Sequence, residues 1–388
     1  MNILLIRLRL IGDVVFTTPV IRALKRSFPE ARLTYLVEGD AAAVVADNPH
    51  LDDVIVIPRT RGLRRVLDDV RLGLALRRRR FDLVIDMHSG PRSGWLTLAS
   101  GAPQRIGYQV RGRSWIYTTA VDRARELRPR HSVLNQWDLL SAVQGWTSHA
   151  PDPAGDAVEM AANGPAVRRV AARLAAAGVN GRHELVVVHV SAGNPFRRWP
   201  EPAFVELVTT LAAASANRRL VLSSGPSDRD AAVRIATSAR TALGAERAGR
   251  ILDLGEFDLA ELHALIDRSQ LFVGGDTGPM HVAATTKTPV VGIYGPTLPA
   301  RSAPWRDHSI PTEAVELSDL ACRPCDQRVC APGDFRCLTT LQPAAVVAAA
   351  ERALTNAEYG MRKAELVANG EIGTAGSAMR NERWPSRQ

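Results

Sequence analysis

Short apolar segments alternate with helical patterns along the chain, and this alternation is the feature that most constrains the fold. In the first half, strands are predicted at 3–8, 32–37, 53–57 and 81–86, and helices at 17–28, 61–80 and 92–100. In the second half, strands are predicted at 185–190, 218–223, 250–253, 271–274 and 289–293, and helices at 201–216, 227–240 and 258–268. Because such alternation is typical of parallel sheets covered by helices, we predict the α/β class, with two Rossmann-like, doubly wound domains facing each other across a cleft.

A chain of 388 residues is too long for one ordinary domain and suits two. The segment "HAPDPAGDAVEMAANGP", residues 149–165, is rich in Pro, Gly and Ala and lacks periodicity, which is typical of a domain boundary. We therefore predict an N-terminal domain at 1–160 and a C-terminal domain at 161–356, the latter closed by a helix at 343–356. Residues 357–388 are predicted to form a poorly ordered tail.

The composition is that of a globular chain, since 46% of the residues are hydrophobic and 23% are charged. The N-terminal run "MNILLIRLRLIGDVV" has neither the uninterrupted apolar core nor the cleavage site of a signal peptide. No apolar run approaches the roughly 18 residues that are needed to cross a bilayer. We expect a cytoplasmic protein.

The segment "RTRGLRRVLDDVRLGLALRRRR", residues 59–80, concentrates part of the chain's net charge of +9. Leu63, Val66, Leu67, Val70 and Leu74 recur at helical spacing, which predicts an amphipathic helix with a basic face. Such a face could lie on anionic lipid headgroups, hold an anionic substrate or simply face water. A nucleic-acid partner is not expected, because the sequence contains no recognisable nucleic-acid-binding module.

Ligands of open parallel sheets bind at the carboxyl ends of the strands, so we expect the functional residues in the loops after the strands. In "RLRLIGDVVFTTPVIRAL" the chain turns at Gly12 and enters a helix with Asp13 at its start. The Asp13 carboxylate could cap this helix or act as a general base that faces the cleft.

The loop "VVVHVSAGNPFRRWPEPAF", residues 186–204, has the outline of a phosphate site. Ser191 and Gly193 are small enough for a close approach of the backbone to an anion, and Arg197 could bind phosphate oxygens with two parallel hydrogen bonds. The alternative is a polar turn followed by a surface arginine pair, Arg197 and Arg198, and a core tryptophan, Trp199.

The loop "GGDTGPMH" places Asp276 and Thr277 at N-cap-like positions before a helix that starts near Gly278. The free N–H groups there suit a diphosphate, and Asp276 could accept hydrogen bonds from sugar hydroxyls; the same residues could also only cap the helix. His281 is interpreted as a packed histidine that orients the loop rather than as a catalytic group.

The motifs "RLRLIGDVVFTTP", "FRRWP" and "GGDTGPMHVAA", the last followed by "TPVVGIYGPT", resemble the signatures of glycosyltransferase family 9, the ADP-heptose:lipopolysaccharide heptosyltransferases. The resemblance covers roughly residues 1–350, including "FDLVIDMHSGPRSGWLTLASGAPQRIGY". It implies a GT-B fold whose N-terminal domain binds the acceptor and whose C-terminal domain binds the nucleotide sugar. It also implies an inverting transfer that needs no metal and no other cofactor.

The resemblance also implies roles for individual residues. Asp13 is the expected catalytic base, Arg197 stands where the family has a lysine that contacts the donor phosphates, and Asp276 corresponds to the aspartate that contacts the heptose. The donor-binding residues are assigned as Ser191, Gly193, Arg197, Asp276, Thr277, Gly278 and His281. The acceptor-binding residues are assigned as Arg9, Gly12, His88 and Arg92. Arg9 and Leu10 precede the "GDV" turn where small or hydroxylated residues are common in the family, which leaves the acceptor and the donor sugar open.

All four cysteines, Cys322, Cys325, Cys330 and Cys337, fall within 16 residues with the spacing C-x2-C-x4-C-x6-C. A structural zinc, disulfides and free thiols are all compatible with this spacing. The D-x-D sequence at 228–230 is interpreted as a chance match at a helix start and not as a metal site.

We therefore expect a glycosyltransferase that moves a heptose or related sugar from ADP-heptose to the lipopolysaccharide core or another anionic lipid-linked or oligosaccharide acceptor. It would act at the cytoplasmic face of the inner membrane in peripheral contact with the lipid. The alternatives are a nucleotide-sugar epimerase of GT-B fold and a non-catalytic GT-B-like binding protein.

Overall fold

Two six-stranded sheets, each entirely parallel, form the framework of the protein. The computed structural model describes residues 1–58, 60, 62–123, 129–147 and 149–368. In the first sheet the strands lie in the order β3-β2-β1-β4-β5-β6, and in the second in the order β12-β11-β10-β7-β8-β9. The strands are β1 (Asn2–Ile6), β2 (Arg32–Glu38), β3 (Asp53–Ile57), β4 (Leu83–Asp86), β5 (Gln104–Tyr108), β6 (Thr119–Val121), β7 (Glu184–His189), β8 (Arg218–Ser223), β9 (Ile251–Leu252), β10 (Leu271–Gly275), β11 (Val290–Tyr294) and β12 (Thr312–Glu316).

Helices connect the strands and cover the sheets. They are α1 (Ile11–Val15), α2 (Thr18–Ser27), α3 (Gly39–Ala42), α4 (Gly62–Arg78), α5 (Pro91–Ala99), α6 (Ser132–Asp138), α7 (Gly164–Ala176), α8 (Glu201–Ala214), α9 (Arg229–Leu243), α10 (Ala245–Ala248), α11 (Leu259–Asp267), α12 (Gly278–Ala283), α13 (Pro299–Ser302), α14 (Arg336–Thr339) and α15 (Pro343–Ala368). Short 3-10 turns lie at Ser114–Ile116, Leu139–Ala142, Pro195–Arg197 and Pro226–Asp228.

The predicted α/β class with two parallel sheets is confirmed, and every strand predicted from the sequence is present. The sequence analysis missed strands β5, β6 and β12, helices α6 and α7, and the four-residue helices α3, α10, α13 and α14. Strands β6 and β12 lie at the edges of their sheets, where much of each strand faces solvent. Edge strands of this kind lack the apolar run by which central parallel strands are recognised, so hydrophobic periodicity did not predict them.

Successive residues of β1 point to opposite faces of the first sheet and build two separate cores. Ile3 and Leu5 pack beneath α2, and Leu4 and Ile6 pack with Leu76 of α4 on the other face. The second sheet is likewise covered on both faces by apolar clusters. Because both faces of each sheet are buried, the central strands are apolar throughout rather than alternating.

The two halves of the molecule touch through α1 and α12. A Cβ atom added at Gly12 would lie 2.3 Å from Cδ2 of His281, and one added at Gly278 would lie 2.9 Å from Cβ of Ile11. Val282 of α12 packs within the core of the first half. The two helices therefore lie so close together that glycine is needed at both contact points.

The predicted domain boundary lies in the long connection between β6 and β7, and the domain limits stay predictions. The expected closing helix is longer than predicted, because α15 continues to Ala368. The prediction of a poorly ordered tail is therefore wrong for 357–368, which are helical. Residues 369–388 lie outside the described residues. In the basic segment, Arg59, Arg61 and the Leu63 side chain lie outside the part that the structure describes.

Candidate active site

The predicted site residues follow the strands at which each sheet reverses its order. In the first sheet these strands are β1 and β4, and in the second they are β7 and β10. Loops that follow two such neighbouring strands run in opposite directions and leave a crevice at the carboxyl edge of the sheet. Asp13 and His88 follow β1 and β4, while Arg197 and Asp276 follow β7 and β10.

Asp13 lies in the first turn of α1, and its side chain does not cap the helix. Its Oδ2 accepts a hydrogen bond from Nη2 of Arg7, and the Asp13 side chain remains 29% exposed. Arg7 is buried, and its Nη1 also donates to the Met87 carbonyl 2.6 Å away. The sequence analysis missed Arg7, although an arginine directly after an apolar strand could have signalled a buried charge in need of a partner.

Two non-glycine residues with left-handed backbone conformations flank this carboxylate. Leu10, the residue before α1, has φ 66°, and Ser89, in the loop after β4, has φ 51°. Such conformations cost of order 1–3 kcal/mol each and persist where the surrounding structure holds them. Leu10 follows β1 and Ser89 follows β4, the two strands at which the first sheet reverses its order.

His88 lies in a positively charged environment beside Asp13. Burial, together with the charges of Arg7 and Arg9, lowers the pKa of His88 to about 4. The imidazole is therefore neutral near pH 7 and can exchange hydrogen bonds without adding charge. Arg9 is exposed at the mouth of the crevice, and Arg123 adds a further positive charge near His88. This end of the crevice suits an anionic ligand.

Two of the assigned acceptor-binding residues have structural contacts in this protein. Nη1 of Arg92 donates to Glu38 at 2.8 Å, and its Nη2 donates to Asp69 at 2.7 Å, so the guanidinium ties α5 to β2 and α4. Gly12 is buried against His281. The guanidinium of Arg92 and the backbone of Gly12 are therefore occupied by contacts within the protein.

In the second half, the Asp276 carboxylate is buried within a network of hydrogen bonds. Its Oδ2 accepts from Thr297 Oγ1 at 2.5 Å and lies 3.5 Å from Nη1 of Arg197, and its Oδ1 lies 3.3 Å from Nε2 of His281. Burial by itself would raise the pKa of Asp276, but His281, Arg197 and Thr297 together lower it to about 2. Asp276 therefore stays ionised at any physiological pH.

Arg197 is held at the end of its turn by two acceptors. Its Nη1 donates to the backbone carbonyl of Asp276 at 2.7 Å, and its Nε donates to Oε1 of Gln327 at 2.8 Å. Gln327 also accepts from Asn194 at 2.9 Å. Gln327 and Thr297 lie far from Arg197 in sequence. Sequence reasoning missed both, although Thr297 is the last residue of the "TPVVGIYGPT" motif, because a motif does not show which side chains a residue contacts.

Ser191 belongs to a second cluster beside Arg197. Its Oγ donates to Asp228 at 2.5 Å, and the other oxygen of Asp228 lies 3.0 Å from Nη2 of Arg198. Asp230 is exposed at the start of α9, so the two acidic side chains of the D-x-D sequence have different environments. A Cβ added at Gly193 would meet nothing within 4 Å, which leaves open space above this turn.

The loop before α12 places the N-cap at Thr277 and not at Asp276. The Thr277 hydroxyl donates to the Gly275 carbonyl at 3.3 Å and does not cap the helix. His281 packs against the Phe16 ring of the first half, with 4.5 Å between ring centroids, and contacts Asp276 through Nε2. The interpretation of His281 as a packed histidine that orients this loop agrees with these contacts.

The four cysteines line one pocket of about 300 Å³ next to Phe196, in the loop that carries Gln327. All four are free thiols in this structure, and burial raises the pKa of Cys337. Within the described part of the chain, no three His, Cys, Asp or Glu side chains are placed to hold a metal ion. A structural zinc, one of the three possibilities that the cysteine spacing allows, is therefore unsupported by the arrangement of these side chains.

Comparison with known proteins identifies the family. The sequence pattern of glycosyltransferase family 9 (heptosyltransferase) matches residues 70–334. The chain belongs to this family. Lipopolysaccharide heptosyltransferase 3 of Escherichia coli is 26% identical to it over 364 residues, which cover 91% of this chain and 99% of that protein. As a family 9 member the protein is a glycosyltransferase, which confirms the predicted enzyme class.

Two solved structures of family 9 share the architecture. A glycosyl transferase family 9 protein from Veillonella parvula superposes with a TM-score of 0.76 at 20% identity, covering 91% of this chain and 97% of that one. The E. coli ADP-heptose LPS heptosyltransferase II superposes with a TM-score of 0.71 at 19% identity, covering 92% of this chain and 100% of that one. These likenesses confirm the GT-B fold.

Proposed function

We propose that this family 9 glycosyltransferase moves a heptose from ADP-heptose to a saccharide of the lipopolysaccharide core, with inversion at the anomeric carbon. The names of the E. coli relatives, a lipopolysaccharide heptosyltransferase and an ADP-heptose LPS heptosyltransferase, support this donor and acceptor class. The geometry of the crevice supports the division of labour between the two halves.

One observation carries the proposal: a continuous set of contacts joins the candidate base to the candidate donor site. Asp13 follows Gly12, which packs against His281, and His281 contacts the carboxylate of Asp276. Asp276 in turn binds Arg197 through its backbone carbonyl. The α1–α12 contact therefore fixes the base and the diphosphate-binding arginine relative to each other, as a direct displacement between two substrates requires.

In the proposed reaction, Asp13 accepts the proton of an acceptor hydroxyl while that oxygen forms a bond to the anomeric carbon of the donor. The bond from the anomeric carbon to the diphosphate breaks on the opposite face, so a single displacement inverts the anomeric centre. ADP leaves with the electron pair of the broken bond. The proton stays on Asp13 until water removes it.

Arg197 is the residue proposed to stabilise the leaving diphosphate. Its guanidinium is partly exposed beside the open turn at Gly193, and it is held by Gln327 and by the Asp276 carbonyl rather than by bulk water. A positive charge that is already positioned stabilises developing negative charge without reorganisation. We propose that this arginine supplies the charge and that the transfer needs no metal ion.

Asp276 is proposed to act mainly as the anchor of the donor site. Its Oδ2 accepts a hydrogen bond from Thr297 and lies 3.5 Å from Arg197, whereas its buried Oδ1 accepts no hydrogen bond from the described residues and lies 3.3 Å from Nε2 of His281. The side chain is 3% exposed. A hydroxyl of the heptose would donate to Oδ1, the oxygen that still lacks a donor. Ser191, Thr277 and Gly278 line the same side, around the donor diphosphate.

The acceptor is proposed to bind at the end of the crevice where Arg9, His88 and Arg123 lie near Asp13. This positive environment suits a phosphorylated saccharide. An acceptor linked to lipid would bring the enzyme to the cytoplasmic face of the inner membrane. No helix within the described ranges is both long and apolar enough to cross a bilayer, so the proposed contact with the membrane is peripheral.

Transfer assays with purified protein test this proposal. ADP-heptose is offered with a delipidated core saccharide, with and without EDTA, and UDP- and GDP-linked sugars are offered in parallel. We expect product only from ADP-heptose, with inverted anomeric configuration and no effect of EDTA. Asp230→Asn, at an exposed carboxylate, is the matched control for chelation by the D-x-D sequence and is expected to leave the rate unchanged.

Three results would contradict the proposal. Product from UDP- or GDP-sugars alone would refute ADP-heptose as the donor and would leave the fold assignment unaffected. Conversion of ADP-heptose without any acceptor would favour an epimerase. Loss of activity with EDTA that returns with a divalent cation would refute metal independence.

A further inference from the structure

Helix α4 has an apolar face that no other part of the described chain covers. Val66, Leu67, Val70 and Leu74 are between 45% and 59% exposed. At 100° per residue these four positions fall within one stripe about 100° wide. On the opposite side of the same helix, Leu76 is buried and packs against the first sheet. Helix α4 thus has two apolar faces, of which only one serves the core.

The stripe continues onto neighbouring elements. Trp95 of α5 lies against Gly73 of α4, where an added Cβ would stand 2.9 Å from the indole ring, and Trp95 and Leu98 are partly exposed. Ile116 packs against Gly94 of α5, and its neighbour Trp115 is 69% exposed. We call the combined surface of these residues the outer face; its members are Val66, Leu67, Val70, Leu74, Trp95, Leu98 and Trp115.

Arginines border the outer face. Arg64, Arg71 and Arg78 are exposed and recur every seven residues, so they run along one edge of the α4 stripe. Between 64 and 80 seven arginines stand against two aspartates. Asp69 is paired with Arg92, and Asp68 lies 3.8 Å from Arg71. The surface therefore combines exposed apolar groups with a border that keeps a net positive charge.

We infer that the outer face is the surface by which this enzyme lies on an anionic phospholipid bilayer. An apolar helical stripe bordered by arginine, with tryptophan beside it, suits the boundary between headgroups and acyl chains. A second copy of the chain fits less well, because a two-fold contact through this face would bring the same arginine border of both copies together. Nucleic acid would leave the apolar centre of the face unused.

The position of the outer face gives it a use in the proposed reaction, on which this inference rests. The first turns of α4 and α5 lie at the carboxyl edge of the first sheet, where Arg92 joins them to Glu38 at the end of β2. His88, near Asp13, lies in the loop that leads into α5. A membrane-bound acceptor could thus present its saccharide to Asp13 while its lipid stays in the bilayer.

Vesicle flotation with the full chain tests the inference. Vesicles of phosphatidylethanolamine and phosphatidylglycerol are compared with vesicles of phosphatidylcholine alone, at low and high salt, without any saccharide. We expect binding to the anionic vesicles that is weakened by salt, and little binding to the neutral ones.

Two triple variants separate the apolar and the charged contributions. Leu67→Ser/Val70→Ser/Leu74→Ser is expected to lower the bound fraction by at least about fivefold. Arg64→Ser/Arg71→Ser/Arg78→Ser is expected to remove the preference for anionic lipid. Val233→Ser/Val329→Ser, at exposed apolar positions of the second half, is the matched control and should bind as the wild type does. Unchanged thermal unfolding midpoints verify that the variants are folded.

The inference is overturned if the apolar triple variant binds vesicles as the wild type does, or if neutral and anionic vesicles bind equally. It is also overturned if the wild type does not bind vesicles and instead binds bare oligonucleotide. The same holds if the wild type does not bind vesicles and forms an oligomer that is absent in the apolar triple variant. Transfer to a delipidated acceptor does not need the outer face. If the wild type transfers heptose but does not bind vesicles, this inference alone is refuted. If the wild type binds vesicles but does not transfer heptose, the proposed function alone is refuted.

Discussion

The two candidate carboxylates of this enzyme, Asp13 and Asp276, occupy opposite halves and opposite environments. Asp13 has one arginine partner and remains partly open to the crevice. Asp276 is buried and contacts Thr297, Arg197 and His281. A group that must take up a proton from a substrate needs access and a free lone pair, whereas a group that holds other residues in place needs neither. On the ground of this difference we propose that Asp13 transfers the proton and that Asp276 organises the donor site.

The largest effect is expected at Asp13. Asp13→Asn keeps the shape of the side chain and removes its ability to accept the proton, so kcat should fall by roughly 10²- to 10⁴-fold. Nucleotide binding, measured by calorimetry, should be unchanged because the donor site lies in the other half. A rate near that of the wild type in Asp13→Asn would show that another residue is the base. Asp230→Asn, which also removes an acidic group, is the control and should leave the rate unchanged.

A smaller effect is expected at Arg197. Arg197→Ala removes a charged hydrogen bond to the diphosphate, so ADP binding should weaken by roughly 10- to 100-fold. Arg197→Lys should recover part of the affinity, because it keeps the charge without the planar fork. Arg328→Ala, on the exposed part of the same loop that carries Gln327, is the control. Equal ADP affinity in Arg197→Ala and Arg328→Ala would remove Arg197 from the donor site.

The contact between the two halves of the molecule, made by α1 and α12, can be tested at Gly12. Gly12→Ala would place a methyl group 2.3 Å from the His281 ring, and overpacking of this kind costs about 1–3 kcal/mol of unfolding free energy. Adding His281→Ala should make room, so the double variant is expected to be more stable than the two single effects predict. Gly193→Ala, where the structure leaves open space, is the control. Strict additivity in urea unfolding would argue against the α1–α12 contact.

The smallest effect is a dependence of stability on pH. The pKa of Asp276 is lowered to about 2, so its ionisation stabilises the folded protein above about pH 4, and this stabilisation is lost as the pH falls towards 2. The pH-dependent part amounts to about 2 kcal/mol. In urea unfolding, the difference between wild type and Asp276→Asn should therefore shrink between pH 5 and pH 3. A constant difference over that range would contradict the buried, ionised Asp276.

The sequence predicted the chemistry-bearing loops better than their partners. The "GDV" turn, the "FRRWP" segment and the "DTG" loop each follow a buried strand, and apolar runs with short turns are visible without a structure. Arg7 and Thr297 lie within the quoted motifs and Gln327 lies outside them, but no motif shows that these residues contact Asp13, Asp276 and Arg197. Thr297 and Gln327 contact residues that are distant along the chain. The apolar strand before Arg7 could have signalled a buried charge, but its partner Asp13 appeared only in the folded protein.

The same limit applies to the basic helix and the cysteines. The spacing of Val66, Val70 and Leu74 predicted an amphipathic helix, but only the structure showed that this stripe faces solvent while Leu76 faces the core. The spacing of the four cysteines suggested a metal, yet spacing does not fix the direction of a side chain. Arg92 was assigned to the acceptor, and its two carboxylate partners appeared only in the folded protein.

The sequence by itself determined the central strands, most of the helices that connect them, the two parallel sheets and the loops that carry the reactive groups. It could do so because hydrophobic periodicity and glycine-rich turns are local properties of the chain. The tertiary structure decided which carboxylate is open and which is buried, which arginines are free to bind a substrate, and how Gly12 and His281 join the two halves. These properties depend on burial and on distances between remote segments, and burial is what sets the charge state and the availability of a polar group.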